Sequence, residues 1–208
     1  MTVETARVTV TGMPVGTVIE GSPDNPQGRR VDHRPAAGGR SLSHITEDGN
    51  FQADLSGPLM IGRPAEPAVM KTLIQALRDA GRTVDMLGGA KDEHGQDAIL
   101  RLDDTQCDVQ IVSLPSDSAL WRDLRIQGSA SRAGDESSSL QIVREALVHK
   151  ATSARGTLLV LDASHVGAII NPRLVEAYRA RYGNPVIEFH FAEVWIVGPT
   201  ATSTKRLG

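Results

Sequence analysis

The residues best placed to do chemistry sit in two short runs of alternating polarity. These are Gln96-Asp97-Ala98-Ile99-Leu100-Arg101-Leu102 and Cys107-Asp108-Val109-Gln110-Ile111-Val112, with Asp103-Asp104-Thr105 between them. Period-two alternation on both arms and turn chemistry in the middle predict a hairpin with a two-residue connection at Asp103-Asp104. Counting back from that turn pairs Leu102 with Thr105, Leu100 with Cys107, Ile99 with Asp108 and Asp97 with Gln110. Asp97, Asp108 and Gln110 then emerge on one face. A carboxylate taken out of water is costly unless it is paired or holds a metal, so the face is either a polar accident at a sheet edge or a cation site.

The flanking sequence supplies the elements that would hold this hairpin. Glu66-Pro67 opens a helix, because proline in the first turn loses no needed N–H, and Val69, Met70, Leu73, Ile74 and Leu77 give an apolar stripe that ends before Gly81. Thr83 to Leu87 reads as a short strand and Gly88 to Gly95 as a polar loop. Beyond Leu114-Pro115, a short helix carries Ala119, Leu120, Trp121 and Leu124, and Gly128 to Asp135 has the composition of a flexible loop. Asp135 or Ser137 caps the next helix, whose stripe of Leu140, Val143, Ala146 and Leu147 runs on to His149-Lys150. Lys150 continues the buried stripe, an unusual place for an ammonium. Thr157 to Leu161 is a continuous apolar run, as in a strand covered on both faces; Pro172 to Arg181 reads as a helix and Val186 to Val197 as a long strand. Helix, strand, hairpin, helix, strand, helix, strand calls for an α/β or α+β domain, a mixed sheet with helices on both faces.

Composition narrows the class. The chain has 208 residues, a formal net charge of -3 and 3% aromatic residues, so one core of Leu, Ile, Val and Ala is expected, and the charge argues against a protein coated in positive charge while leaving room for a local basic groove. No stretch approaches the roughly 20 apolar residues of a membrane span. The single cysteine, Cys107, cannot form an internal disulfide, and the expected location is cytoplasmic. Residues 1-50 divide from 51-208: Arg7 to Thr11 and Val15 to Ile19 suggest an N-terminal hairpin, and Glu20 to about Asn50 is polar enough to be a loop, an arm or a segment that needs a partner.

The order αβββαβ, with an acid on the second strand, acid-x-polar on the third and a lysine on the following helix, resembles the PD-(D/E)XK nuclease superfamily, the restriction endonuclease-like fold. The likeness covers roughly residues 64 to 161, with an extra helix and strand at the C-terminus. It implies a magnesium or manganese ion held by Asp97 and by Asp108-Val109-Gln110, in which Gln110 stands where the family's lysine should be. Lys150 would supply the displaced ammonium, as in members whose lysine has moved to the next helix. A second alignment makes Gln110 itself a metal ligand, and Glu66 matches the acid some members carry on their first core helix. Magnesium takes oxygen ligands and keeps several waters, so these groups would hold it weakly until a phosphodiester completes its shell. The ion would then deliver water to phosphorus and neutralise developing charge, with Lys150 as a point charge beside the phosphate.

Each of these residues also has a plainer reading. Asp97 can cap backbone N–H groups at a strand start, Asp108 can pair with Arg101, Lys150 can snorkel from a helix C-terminus, and Glu66 suits a first helical turn. Among the other clusters, Asp162-Ala163-Ser164-His165 reads as a polar loop at a strand's carboxyl end, since no Gly-x-Ser-x-Gly elbow accompanies Ser164. Glu188, His190 and Glu193 have no metal-ligand spacing, and Lys91-Asp92-Glu93-His94 reads as a solvated loop. The resemblance therefore implies a metal-dependent nuclease acting on DNA or RNA. The alternative is a catalytically silent relative that binds or assembles with a partner through the Arg29-Arg30 arm and N-terminal hairpin; a third reading is a hydrolase of small phosphate esters. A homodimer is common among such proteins and stays open.

Overall fold

The computed structural model describes residues 8–9, 16–20, 29–35, 38–46, 49–91, 96–116, 118–170 and 173–208. Its central hairpin joins β7 (Gln96–Leu102) to β8 (Thr105–Ser113) in the register the sequence predicts, Leu102↔Thr105 through Leu100↔Cys107 and Ile99↔Asp108 to Ala98↔Val109. Asp103 and Asp104 both take positive φ, 48° and 68°, as a two-residue turn of matching twist requires. Asp103 is tied down by Arg82 and by the Thr83 N–H at 2.9 Å.

Around this hairpin grows a mixed sheet. β6 (Val84–Lys91) pairs antiparallel with β7 on one side, and β10 (Leu158–Asp162) runs parallel to β8 on the other. β11 (Glu193–Val197) lies parallel to β10, and β12 (Lys205–Arg206) closes the edge antiparallel to β11. Helix α1 (Glu66–Asp79) buries Val69, Met70, Leu73 and Leu77 against Leu100, Val109, Leu158, Val160 and Trp195 on one face of this sheet. The alternate residues, Leu159, Leu161, Val194 and Ile196, belong to a second core with Leu140, Val143, Ala146 and Leu147 of α3 (Glu136–Lys150). That core also takes in α2 (Ser118–Gln127), α4 (Leu174–Tyr182) and the apolar side of a second sheet. The molecule is thus mixed α/β with two sheets, and among its described residues no helix is long and apolar enough to cross a membrane.

The second sheet is where sequence patterning fails. β1 (Val8–Thr9) and β2 (Gly16–Glu20) form the expected N-terminal hairpin, but β3 (Arg29–Arg34) and β4 (Arg40–Ile45) then continue the sheet where a polar loop or arm is predicted. β5 (Phe51–Ser56) pairs with β4, so a division at residue 50 falls within the sheet. The buried positions of β2, β3 and β4 include Thr17, Arg29, Ser41 and Ser43 beside Val31 and Ile45, so no period-two apolar signal marks them. The sixth strand, β9 (Ser129–Gly134), replaces the predicted loop over Gly128 to Asp135, pairing with β5 from Ser56↔Ser129 to Phe51↔Gly134. Its Ser and Ala side chains are small, and the backbone ladder rather than apolar burial holds it. A Cβ on Gly134 would lie 2.8 Å from the Phe51 ring and 2.9 Å from Ser138 Cβ, so only glycine lets the strand pass there into α3.

Two further expectations are corrected. The long strand over Val186 to Val197 is instead a short helix, α5 (Pro185–Phe189), followed by β11. Asn184 caps the helix by accepting the Val186 N–H at 3.0 Å, Pro185 fits its first turn, and His190 ends it at φ 60°. β6 also runs on to Lys91 through the region predicted as a loop, with residues 92–95 outside the described part. Elsewhere Asp135 is the cap of α3, accepting the Ser138 N–H at 2.7 Å.

Candidate functional site

Asp97 stands where the β7–β8 ladder ends. Beyond Ala98↔Val109 no further backbone pair forms, and the Asp97 carboxylate takes up the slack by accepting the Ile111 N–H through Oδ2 at 2.6 Å. Its plainer reading, capping the loop before it, is therefore replaced by a bond across to the neighbouring strand. Asp108 accepts from Gln96 Nε2 at 2.6 Å, which is the partner it has in place of Arg101. Gln110 is only 2% exposed and donates through Nε2 to the Ser153 carbonyl at 2.7 Å. A buried amide donor needs such an acceptor, and this one sits in the turn that follows α3.

That bond locates Lys150. The Ala154 N–H returns to the Lys150 carbonyl at 2.9 Å, so Ser153 and half-buried Lys150 belong to one turn at the C-terminal end of α3. Gln110 is the register partner of Leu159, on the sheet face that α3 covers. Gln110 and the end of the lysine-bearing helix therefore share one side of the mixed sheet.

Glu66 arrives from the opposite layer, at the first turn of α1. Burial and, next, the charge of Asp97 push its carboxyl above the usual carboxylate range, against a smaller pull from Arg63. Glu66 and Asp97 are thus two acids from separate elements within electrostatic reach. Among the described residues no three of His, Cys, Asp and Glu gather in one metal-binding group, so Glu66, Asp97 and Asp108 do not form a three-carboxylate cage. With Asp97 Oδ2 and Asp108 Oδ2 already accepting bonds, the donor set fits only a cation that draws on one or two carboxylates and keeps water for the rest, as magnesium does. Cys107, half-buried on the adjoining strand, has its thiol pushed up by burial and by the charges of Glu193 and Asp108, which keeps it protonated.

Sequence reasoning missed a polar group beneath the second sheet. His165, expected in a plain loop, is 7% exposed and donates from Nε2 to the Met60 carbonyl at 2.8 Å, while its own carbonyl accepts from Ser41. Its ring lies 5.8 Å from that of His33, which bonds Thr17 Oγ1 at 2.7 Å and whose imidazole is pushed down to about 4 by burial and by His165. Arg29 Nε, Ser43 Oγ and His165 Nδ1 are buried without a hydrogen-bond partner among the described residues. Only the Asp162-to-His165 polar run hinted at this layer, because the histidines are 132 residues from each other in one case and paired through tertiary packing. Asp162 is buried at the end of β10 and accepts the Ser164 N–H at 3.0 Å. Glu188 pairs with Arg144 and Glu193 with Arg82 and Arg206, so the acids around His190 are structural.

No protein-family model, curated protein or solved structure matches this chain.

Proposed function

We propose that the chain is a divergent member of the restriction endonuclease-like fold and a magnesium- or manganese-dependent nuclease that cuts phosphodiester bonds in DNA or RNA. The reading is supported by connectivity: α1, the β6–β7–β8 meander, then, after α2 and a strand β9 lent to the other sheet, α3 and β10 parallel to β8, with Asp97 on the second strand and Asp108-Val109-Gln110 on the third. The single observation that carries it is the raised carboxyl of Glu66, pushed up by burial and then by the charge of Asp97, a like-charge cost that a divalent cation would relieve. Bound there, the cation would supply an activated water and neutralise charge on the phosphate. Asp97 would ligate through the oxygen not used by Ile111, with Glu66 as second carboxylate. Lys150 would place a positive charge on the phosphate from the α3 side, since the neutral amide of Gln110 cannot.

A second reading, a catalytically silent binding or assembly protein, is favoured by one contact, the Gln110 amide spent on the Ser153 carbonyl. One experiment separates the two. Labelled DNA and RNA are incubated with magnesium or manganese, with EDTA, and with Asp97→Asn, alongside mononucleotide esters. Metal-dependent polymer cleavage lost in Asp97→Asn supports the nuclease. No cleavage and no change in the Glu66 carboxyl titration on adding either metal would leave the silent reading standing.

A further inference from the structure

A groove of about 650 Å³ runs between the segment after β5 and helix α2, lined by Leu59, Met60, Ile61, Pro64, Trp121 and Arg125. Its size lies within the range of roughly 300–1,000 Å³ of sites that enclose small organic groups. Its walls are fixed to each other before any ligand arrives. Trp121 Nε1 donates to the Pro115 carbonyl at 2.8 Å, its ring meets His165 edge-on at 6.5 Å, and His165 in turn holds the Met60 carbonyl. The buried histidine thus ties the loop wall to the tryptophan wall, and a preformed groove loses little freedom on binding.

Charge and position point to what would fill it. The two segments that form the groove, 57–64 and 118–128, carry Arg63, Arg122 and Arg125 against Asp123 alone, on a chain whose net charge is -3. Arg122 leans on Asp123 at 3.7 Å, whereas exposed Arg125 makes no ion pair among the described residues. Pro64 on the groove's wall precedes Glu66 by two residues, so this loop wall leads directly into the helix that carries that acid. An apolar, aromatic-bearing wall with a guanidinium at its rim suits an unpaired base and its phosphate. A duplex would present only phosphates there, with its bases stacked away.

We propose that this groove seats unpaired nucleotides of a single-stranded nucleic acid, the bases against Leu59, Met60, Ile61 and Trp121 and a phosphate on Arg125. The identity of the ligand rests on the nuclease reading, so its test is run without metal. Fluorescein-labelled oligo(dT) and oligo(rU), and a duplex of equal length, are titrated by anisotropy in EDTA with the full chain, Arg125→Glu and, as a control on the far end of β7, Arg101→Glu. Single strands are expected to bind more tightly than the duplex. Arg125→Glu should weaken them about tenfold and flatten the dependence of affinity on salt by roughly one phosphate contact, while Arg101→Glu stays within about twofold. Met60→Glu, checked for folding by thermal melting, should weaken single-strand binding as Arg125→Glu does. Equal binding of duplex and single strand, or affinities unmoved in both groove variants, would overturn the proposal. Binding that depends on Arg125 without any metal-dependent cleavage would instead refute the nuclease and leave the groove intact.

Discussion

The packing of His33 makes stability fall steeply on mild acidification, and the size of the fall follows from its surroundings. Burial first, then the neighbouring His165, lowers its imidazole from 6.5 to about 4, while Asp32, itself held by Arg40, pulls the other way. As pH falls the unfolded chain binds a proton at His33 first, near 6.5, and the folded chain only near 4. The unfolded state therefore holds more protons in that window, and stability is lost as pH drops through it. Between about pH 7.5 and pH 5 this one residue should cost about 2 kcal/mol, approaching about 3 kcal/mol below pH 4, since each unit of difference is worth about 1.4 kcal/mol. The assay is urea unfolding followed by far-UV circular dichroism across that range, for the natural chain and for His33→Gln. Glutamine keeps a polar partner for Thr17 but cannot titrate, so its curve should lose less stability by about 2 kcal/mol at about pH 5, with the contributions of other groups cancelling between the two proteins. Superimposable pH profiles would refute the argument, because they would mean that His33 is as free to protonate folded as unfolded.

The site and the scaffold give further tests. Glu66→Gln should raise the melting temperature at neutral pH, since its carboxyl is held above its ordinary range by burial and Asp97 and that cost disappears with the charge; differential scanning calorimetry reads the shift. In Asp97→Asn, carbon-detected NMR should show the Glu66 carboxyl titrating lower than in the natural chain. Arg144 forks onto Glu188, reaches the Tyr178 hydroxyl at 3.4 Å and stacks over Tyr182 and Phe189 at 5.1 and 4.8 Å. Arg144→Ala should cost about 1–3 kcal/mol in chemical unfolding by releasing α5 from α3. Gly134→Ala should destabilise by about 1–3 kcal/mol, because the added methyl meets Phe51 and Ser138 at 2.8 and 2.9 Å.

The chain's local grammar settled the central hairpin of the mixed sheet and the helices α1 and α3. Alternation in two adjoining runs, two aspartates able to take positive φ, Pro67 at a helix start and Asp135 at another all act within a few residues, so hairpin register, α1 and the cap of α3 were legible from one dimension. What tertiary structure alone decided are the features whose energy comes from distant partners. β3 and β4 bury arginine and serine beside Val31 and Ile45 and β9 buries no residue fully, and they are strands because a neighbour's backbone completes their hydrogen bonds, an opportunity that no local pattern announces. Likewise Asp97 finds the Ile111 N–H, Gln110 finds the Ser153 carbonyl and His33 finds His165 only once the layers close, so composition could nominate these groups while packing alone determined which of them meet.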